Sequence, residues 1–353
     1  MNCCINCFES SYINGIILNN KSIGNCNYCK SENVSIYEAS ELSIFFKGII
    51  DLYEVVDSNG KPIEEQIVSD FSNKVFSKKL IDSSCIRDLM NDIVRDDIDY
   101  YNKIFNNPVR LKYHSSDVED VIIRPLSISW DNFSNEIKTV NRFHFVNTLD
   151  LVKLKSLFAN FAKDIPKGKK FNRARVSNNR AGYLPKEMGN PPSHLAKSGR
   201  ANPNGISYLY LGNDIATTLF EARASLFDYV SVGTFRLEEN LRVVNLSRST
   251  YDVFRLAELE SLEDVTMHRS FIDKLEYELS TPRRKSDSEL DYLPTQYLSE
   301  LIKSMGYDGI EFKSSLYSEG YNLAIFYPDK FKCLHVDVYD IDKIELKYTK
   351  LTS

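Results

Sequence analysis

The chain has 353 residues, 42% hydrophobic and 26% charged, a composition typical of a globular protein with two domains or one large domain and an appendage. Its formal net charge of −5 provides no overall positive field, which argues against non-specific binding of nucleic acid. The longest apolar runs, such as SIFFKGII at 43–50, are too short to cross a bilayer. The N-terminus has no charged start followed by an apolar core, so we expect no secretory signal and a cytoplasmic location.

Cysteine spacing near the N-terminus indicates a metal site. Five of the seven cysteines fall in the first 29 residues, and four of them form two C-x2-C pairs separated by 18 residues: Cys4 with Cys7, and Cys26 with Cys29. This spacing is typical of a zinc ribbon, in which two tight turns bring four thiolates to one tetrahedral ion. Because four protein ligands leave no open position, we expect structural rather than catalytic zinc. Cys3 is an alternative to Cys4 as a ligand.

The remaining pattern predicts a mainly helical domain over 36–162 after a zinc-ribbon-like module over 1–35. Apolar residues recur at helical intervals over 42–53, with Ser40 as a candidate N-cap. The segment 163–175 contains a proline, a glycine and six basic residues, which predicts a linker into a new domain. Nothing in the helical region itself indicates a function.

Residues 163–353 are predicted to form an α+β domain, because short β-like runs alternate there with helical segments. The strand candidates are SYLYLG, YVSVGTFRL, LRVVNLS, GIEFKSS, NLAIFY and CLHVDVYDI. A helix is predicted over 214–227, with Asp214 as its N-cap and an apolar stripe that leaves Glu221 on a flank with Thr218.

One stretch of this domain, GRANPNGISYLYLGNDIATTLFEAR at 199–223, contains three candidate functional residues, each in a different predicted element. Arg200 lies in a turn rich in Gly, Pro and Asn, Tyr210 lies near the end of a strand, and Glu221 lies within a helix. Each residue alone has an ordinary explanation as a solvated or packing side chain. Together, G-R-x-N-x-x-G, L-Y-L and T-x-x-x-E occur in the order and spacing of the RES domain family, which this stretch resembles.

Two further blocks extend the resemblance over roughly 170–330. The later block has a Gln-bearing helix, a GYDGI turn, a strand that ends in serine and a final N-x-x-x-F strand. Ser314 is the candidate for the family serine and Ser315 the alternative, whereas Leu316 stands where the family often has arginine. The earlier block, FNRAR, resembles the entry strand of the family, and both Arg173 and Arg175 are candidates for its arginine.

The resemblance implies an ADP-ribosyltransferase-like fold and a bacterial toxin or defence effector that degrades NAD by hydrolysis or phosphorolysis. In that case Glu221 would stabilise the oxocarbenium-like transition state, and Tyr210 would hold the nicotinamide ring. Arg200 would bind the pyrophosphate and Ser314 would donate a hydrogen bond to the nicotinamide or ribose. Arg173, Arg175 and Ser315 are additional candidates for contacts to NAD. The resemblance also implies a silencing antitoxin as partner, and homodimers are common in the family.

Two alternatives remain open at this level. The first alternative is a protein ADP-ribosyltransferase, in which a protein accepts the ADP-ribosyl group. The sequence does not distinguish a protein acceptor from water or phosphate. A catalytically inactive binding module with a zinc ribbon belongs to a different class, which the intact Arg200, Tyr210 and Glu221 disfavour. No G-x-G-x-x-G follows a strand, so the sequence argues against a dehydrogenase that transfers a hydride.

Overall fold

The computed structural model describes residues 1–71, 74–82, 84–112, 126–145, 149–247, 252–259, 262–281, 288–317 and 319–344. The helices are α1 Ser11–Asn19, α2 Ser43–Ile50, α3 Ile63–Phe71, α4 Lys78–Asp82, α5 Ile86–Ile93, α6 Ile98–Asn106, α7 Leu126–Thr139, α8 Leu151–Asn160, α9 Ile215–Glu221, α10 Val253–Glu258, α11 Leu262–Met267, α12 Arg269–Ser280 and α13 Leu293–Ser304. The strands are β1 Asn2–Cys4, β2 Ile23–Gly24, β3 Val34–Glu38, β4 Tyr53–Val55, β5 Val109–Leu111, β6 Ala162–Ile165, β7 Lys170–Ser177, β8 Leu209–Gly212, β9 Tyr229–Leu237, β10 Leu241–Asn245, β11 Gly309–Lys313, β12 Tyr321–Ile325 and β13 Phe331–Asp340.

The chain divides into two compact units. The N-terminal unit contains Met1–Pro125 together with Tyr251–Arg269, and the C-terminal unit contains Leu126–Thr250 together with Ser270–Ser353. These boundaries differ from the divisions expected after residues 35 and 162. Helix α7 packs against α13 in the C-terminal unit, although its sequence resembles the helical segments that precede it. The structure confirms the predicted α+β class. No helix in the described part of the chain is long and apolar enough to cross a membrane.

The N-terminal unit incorporates a segment from the second half of the chain. Strands β1, β3 and β2 form its small antiparallel sheet in that order. Phe254 of α10 packs against Phe46 with ring centroids 4.9 Å apart, and Phe46 also packs against Phe8 and Phe76. Asp252 caps the N-terminus of α10 and accepts a hydrogen bond from the Ser10 hydroxyl at 2.7 Å. Residues far apart in sequence therefore share one apolar core and one polar contact.

The helix predicted over residues 42–53 is shorter than expected. A 3-10 turn, Ala39–Leu42, precedes α2, and the N-cap position is Leu42 rather than Ser40. After α2 the chain turns into β4, where Tyr53 pairs with Leu111 of β5. The aromatic and β-branched residues of β4 favour this pairing over a continued helix.

An eight-stranded sheet forms the centre of the C-terminal unit, with strand order β13-β9-β7-β8-β12-β11-β10-β6. Every pairing within it is antiparallel except that of β10 with β11. Its buried core includes Phe171, Leu211, Phe235, Val243 and Leu323. The predicted strands over 207–341 are all present.

The linker predicted over 163–175 is wrong. This segment supplies β6, a turn in which Gly168 has φ +89°, and most of β7, so it lies within the sheet at two separate positions. Proline and glycine mark a tight turn between two strands here, and the basic residues lie on those strands and in that turn. The interpretation of FNRAR as a strand is confirmed.

An ion pair between a half-exposed lysine and a buried glutamate joins two strands of the sheet. Glu311 of β11 is fully buried, and the Lys163 ammonium of β6 donates to both of its carboxylate oxygens, at 2.7 and 2.8 Å. Burial raises the pKa of Glu311 above its ordinary value of 4.5, and Lys163 opposes this effect. The folded chain therefore holds the Glu311 proton more tightly than the unfolded chain does.

We expect this carboxyl group to make stability depend on pH. A raised pKa in the folded state contributes stability that is fully present below the unfolded pKa and is lost as the pH rises through the folded pKa. Glu311→Gln cannot ionise, so it should lose less stability than the wild type over a pH range that rises from about 4.5, the ordinary pKa of the group. Urea denaturation across that range measures this, with the exposed Glu239→Gln as control. Parallel curves for wild type and Glu311→Gln would contradict the prediction.

Candidate active site and metal centre

A cavity of about 340 Å³ lies in the C-terminal unit, over four adjacent strands of the sheet. It falls within the size range of small-ligand pockets. Strands β7, β8, β12 and β11 each contribute to its lining, together with α9, the 199–200 turn and the segment before α13. The lining residues are Arg173, Ala174, Gly199, Arg200, Tyr210, Leu211, Gly212, Thr218, Glu221, Ala222, Arg223, Tyr292, Phe312 and Asn322.

Helix α9 presents Glu221 to this cavity. Asp214 caps the helix as predicted, because its carboxylate accepts from the Thr217 N–H at 2.7 Å. The buried side of α9 consists of Thr217 and Thr218, so the predicted apolar stripe is wrong. Gly212 explains the close packing of the helix, since a Cβ there would lie 2.7 Å from the Thr218 methyl carbon. The helix ends at Glu221 rather than extending over 214–227, which places the carboxylate on its last turn.

Two neutral donors hold one oxygen of the Glu221 carboxylate. The Ser314 hydroxyl and the Asn322 side-chain amide both donate to Oε1, at 2.8 and 2.9 Å. Within the described part of the chain no donor lies within hydrogen-bond distance of Oε2. The carboxylate therefore has a defined orientation with one oxygen open to a ligand.

Ser314 lies behind Glu221 rather than on the cavity wall. It is 2% exposed, and its oxygen also accepts from the backbone N–H groups of Leu316 and Tyr317 at 3.3 and 3.2 Å. The structure thus places the predicted family serine against the Glu221 carboxylate and outside the cavity lining. The alternative, Ser315, donates to the Ser280 carbonyl at 2.6 Å and is not part of the lining.

A hydrogen-bonded loop fixes Tyr210. The Tyr210 hydroxyl donates to Asn202 Oδ1 at 2.8 Å, and the Gln296 amide holds the same loop through the carbonyls of Gly199 and Asn202 at 2.7 and 3.0 Å. A Cβ on Gly199 would lie 2.4 Å from Asn202 Oδ1, so glycine is required there. Burial raises the pKa of Tyr210 to about 12, which keeps the phenol neutral at physiological pH. With its hydroxyl engaged, Tyr210 offers its ring to a ligand.

Arg200 reaches the end of α12. Its Nη1 donates to the carbonyls of Leu279 and Ser280 at 2.9 and 2.7 Å. These carbonyl groups lie in the last turn of the helix, where no N–H group of the helix is available to them. A cation at a helix C-terminus also interacts favourably with the helix dipole. Arg200 therefore lines the cavity with a guanidinium that is already anchored on one side.

The structure separates the two arginines of β7. Arg173 lines the cavity, where its Nη1 donates to the Tyr210 carbonyl at 3.3 Å and its buried Nε has no partner among the described residues. Burial lowers the pKa of Arg173 to about 10, so it stays charged at neutral pH. Arg175 instead lies over the Tyr183 ring, 4.1 Å from its centroid, and donates to the Glu187 carbonyl.

The structure brings four of the residues proposed from the sequence to one cavity: Arg173, Arg200, Tyr210 and Glu221. Sequence reasoning missed several of their neighbours. Asn202 and Asn322 lie inside the motifs quoted above, but no role was assigned to them. Their positions in those motifs could have marked them as site residues. Gln296, noted only as part of a helix, organises the loop that carries Arg200 and Tyr210. Arg223 is not one of the motif positions, so nothing in the sequence marked it as a site residue.

The four cysteines of the two predicted pairs form a buried cluster in the N-terminal unit. Their sulfur atoms all lie within 4.8 Å of one another, and three of the separations are 3.4, 3.4 and 3.9 Å. A tetrahedron with metal–sulfur bonds of about 2.3 Å requires sulfur atoms roughly 3.8 Å apart, so this geometry fits zinc. The Cys3 sulfur donates to the Tyr37 carbonyl at 3.4 Å, and Cys3 is not a member of the cluster.

Donors near the cluster point toward its sulfur atoms. The Ser31 oxygen accepts from the Lys79 ammonium at 2.7 Å and from the Asn6 amide at 3.2 Å, and it lies 3.1 Å from the Cys29 sulfur. Because both acceptor positions of the hydroxyl are used, its hydrogen is directed at Cys29. The Tyr28 N–H likewise donates to the Cys26 sulfur at 3.4 Å. Such outer contacts are typical of metal-bound thiolates.

Comparison with known protein families identifies the C-terminal half. The family model described as RES domain matches residues 173–348. Those residues belong to the RES domain family. The match begins at the arginine of β7 that lines the cavity and includes every strand from β8 to β13. Among proteins with curated descriptions, none matches this chain significantly.

Comparison with solved structures also yields a match to a chain of a toxin-antitoxin complex. The crystal structure of the M. tuberculosis MbcT-MbcA toxin-antitoxin complex contains a chain that is 13% identical to this protein. The similarity covers 53% of this chain and 92% of that chain, with a TM-score of 0.31.

Proposed function

We propose that the RES domain cleaves the bond between nicotinamide and ribose in NAD, by hydrolysis or phosphorolysis, and that the protein acts as a toxin or defence effector. The observation that carries this proposal is the single oriented carboxylate of Glu221, which shares a cavity with the ring of Tyr210 and the guanidinium groups of Arg173 and Arg200. The RES family of residues 173–348 supports the same chemistry.

Cleavage requires stabilisation of positive charge on the ribose. As the bond from C1′ to the nicotinamide nitrogen breaks, its electron pair neutralises the pyridinium ring and leaves an oxocarbenium-like sugar. The carboxylate of Glu221 stabilises that charge through Oε2, while Ser314 and Asn322 hold Oε1. Water or phosphate then bonds to C1′, and in hydrolysis the attacking water releases one proton to the solvent. The ring of Tyr210 stacks on nicotinamide.

The arginines account for the anionic part of the substrate. A guanidinium offers a planar fork of donors that matches phosphate oxygens. Arg173 has a buried Nε without a partner among the described residues, so it gains most from a bound phosphate. Arg200, held at the end of α12, supplies a second cation without losing further side-chain entropy. Arg175 and Ser315 have no place in this arrangement.

The cysteine cluster binds zinc in our proposal, through Cys4, Cys7, Cys26 and Cys29. Four thiolate ligands satisfy the tetrahedral preference of zinc and leave no position for a substrate, so the metal stabilises the fold and takes no part in NAD cleavage. The rest of the biological setting follows from the toxin proposal: a cytoplasmic location, where the substrate NAD is available, and an antitoxin that covers the cavity. A homodimer is compatible with both.

The decisive experiment incubates the purified full-length chain with NAD and measures nicotinamide release with and without phosphate. Release that depends on phosphate identifies phosphorolysis, and release independent of phosphate identifies hydrolysis. ADP-ribose attached covalently to protein would instead assign the chain to protein ADP-ribosyltransferases. Absence of both products, together with no rise in melting temperature on addition of NAD, would overturn the enzyme proposal in favour of a binding module.

A further inference from the structure

Arg223 is a third arginine on the cavity wall, and its backbone is strained. It follows the C-cap residue of α9, Ala222, and has a φ of +50°, in the left-handed region. Its N–H donates to the Phe220 carbonyl at 3.0 Å, so it closes the helix in the way that glycine usually does. Glycine adopts this conformation freely, whereas the Cβ of arginine crowds the following carbonyl group.

The backbone conformation by itself favours glycine over arginine at this position. Arg223 is exposed, so burial of its side chain does not offset the strained backbone. Residues held in sparsely populated backbone conformations cluster at binding and catalytic sites, where the side chain itself is needed. The position of Arg223 in the cavity lining, two residues after Glu221, agrees with such a need.

The charges of the cavity indicate what Arg223 binds. The charged residues of the lining are Arg173, Arg200, Arg223 and Glu221. Their excess of two positive charges complements the two negative charges of a pyrophosphate.

We propose that Arg223 is a substrate-binding residue that contacts a phosphate group in the cavity. The identity of the substrate rests on the proposed function, but the recognition of phosphate rests on the charge and position of Arg223. The phosphate belongs either to the dinucleotide or to free phosphate that enters the same cavity. In both cases, arginine is retained at the expense of helix stability because its charge-assisted hydrogen bonds are needed.

Isothermal titration calorimetry with ADP-ribose and with inorganic phosphate tests this in wild type, Arg223→Ala and Arg223→Gly. Both variants should bind at least about tenfold more weakly, as expected for loss of a hydrogen bond to a charged group. Arg223→Gly should also melt at a higher temperature than the wild type, whereas Arg223→Ala keeps the strained backbone. Weaker binding of ADP-ribose assigns the contact to the dinucleotide, and weaker binding of inorganic phosphate alone assigns it to free phosphate.

Phe227→Gly provides the matched control. Phe227 has a φ of +68°, is exposed and lies outside the cavity lining, so this variant should gain stability with unchanged affinity. Unchanged affinity in both Arg223 variants would overturn the proposal, as would a wild type that binds neither probe or an equal loss in Phe227→Gly. Binding requires no cleavage, so a chain that binds ADP-ribose through Arg223 but releases no nicotinamide overturns only the proposed function.

Discussion

Glu221→Gln is expected to lower the rate of nicotinamide release by at least about a hundredfold, because removal of a preorganised charge at a developing transition-state charge typically costs this much. Glutamine keeps the size of the side chain and removes the negative charge. The loss should appear in kcat with little change in KM, since the charge on the ribose develops only in the transition state. Steady-state assays of nicotinamide release across a range of NAD concentrations measure both constants.

Two other variants sharpen this test. Glu319→Gln changes an exposed carboxylate outside the cavity lining and should leave the rate unchanged. Asn322→Ala removes one of the two donors to Oε1 and should lower kcat less than Glu221→Gln does, because Ser314 still orients the carboxylate. A Glu221→Gln enzyme that retains the wild-type kcat would remove Glu221 from the reaction.

Loss of the proposed zinc is expected to unfold the N-terminal unit. Structural zinc in small modules contributes about 10–16 kcal/mol of apparent binding free energy, which is also folding free energy. Cys7→Ser should therefore yield a chain without zinc and with reduced helical circular dichroism. The effect should spread beyond the cysteines, because the Ser77 N–H donates to the Cys7 carbonyl at 2.9 Å and Lys79 bonds to Ser31 beside Cys29. Metal content by mass spectrometry and circular dichroism with and without a chelator measure both effects.

Neighbouring cysteines provide the controls for the metal prediction. Cys85 lies in the same unit but outside the cluster. The Cys85→Ser variant should therefore retain one zinc per chain and a native circular dichroism spectrum. Cys3→Ser tests the choice between Cys3 and Cys4, and it should also retain the metal. A Cys7→Ser chain with a full equivalent of zinc would contradict the four-cysteine site.

The motifs around Arg200, Tyr210 and Glu221 were predictable because local rules govern them. Asp214 is followed by a helix whose first N–H groups need an acceptor, and the capping role followed from sequence alone. The length of α9 was not predictable in this way, because the helix ends where the backbone of Arg223 adopts the left-handed conformation. That turn lies beside the cavity, where arginine stands in place of the usual glycine.

By itself, the sequence determined the α+β class, the C-terminal strands, the RES family and the paired cysteines. The class, the strands and the cysteine pairs depend on side-chain periodicity and on short spacings, which act over a few residues, whereas the RES family was identified by the resemblance of several separate motifs. Only the tertiary structure decided that Arg173 rather than Arg175 lines the cavity, and that Ser314 supports Glu221 from behind. It also decided that Asp252 and Phe254 belong to the N-terminal unit. Such choices depend on which distant segments bury their apolar surfaces against each other, and local spacing carries no information about that partner.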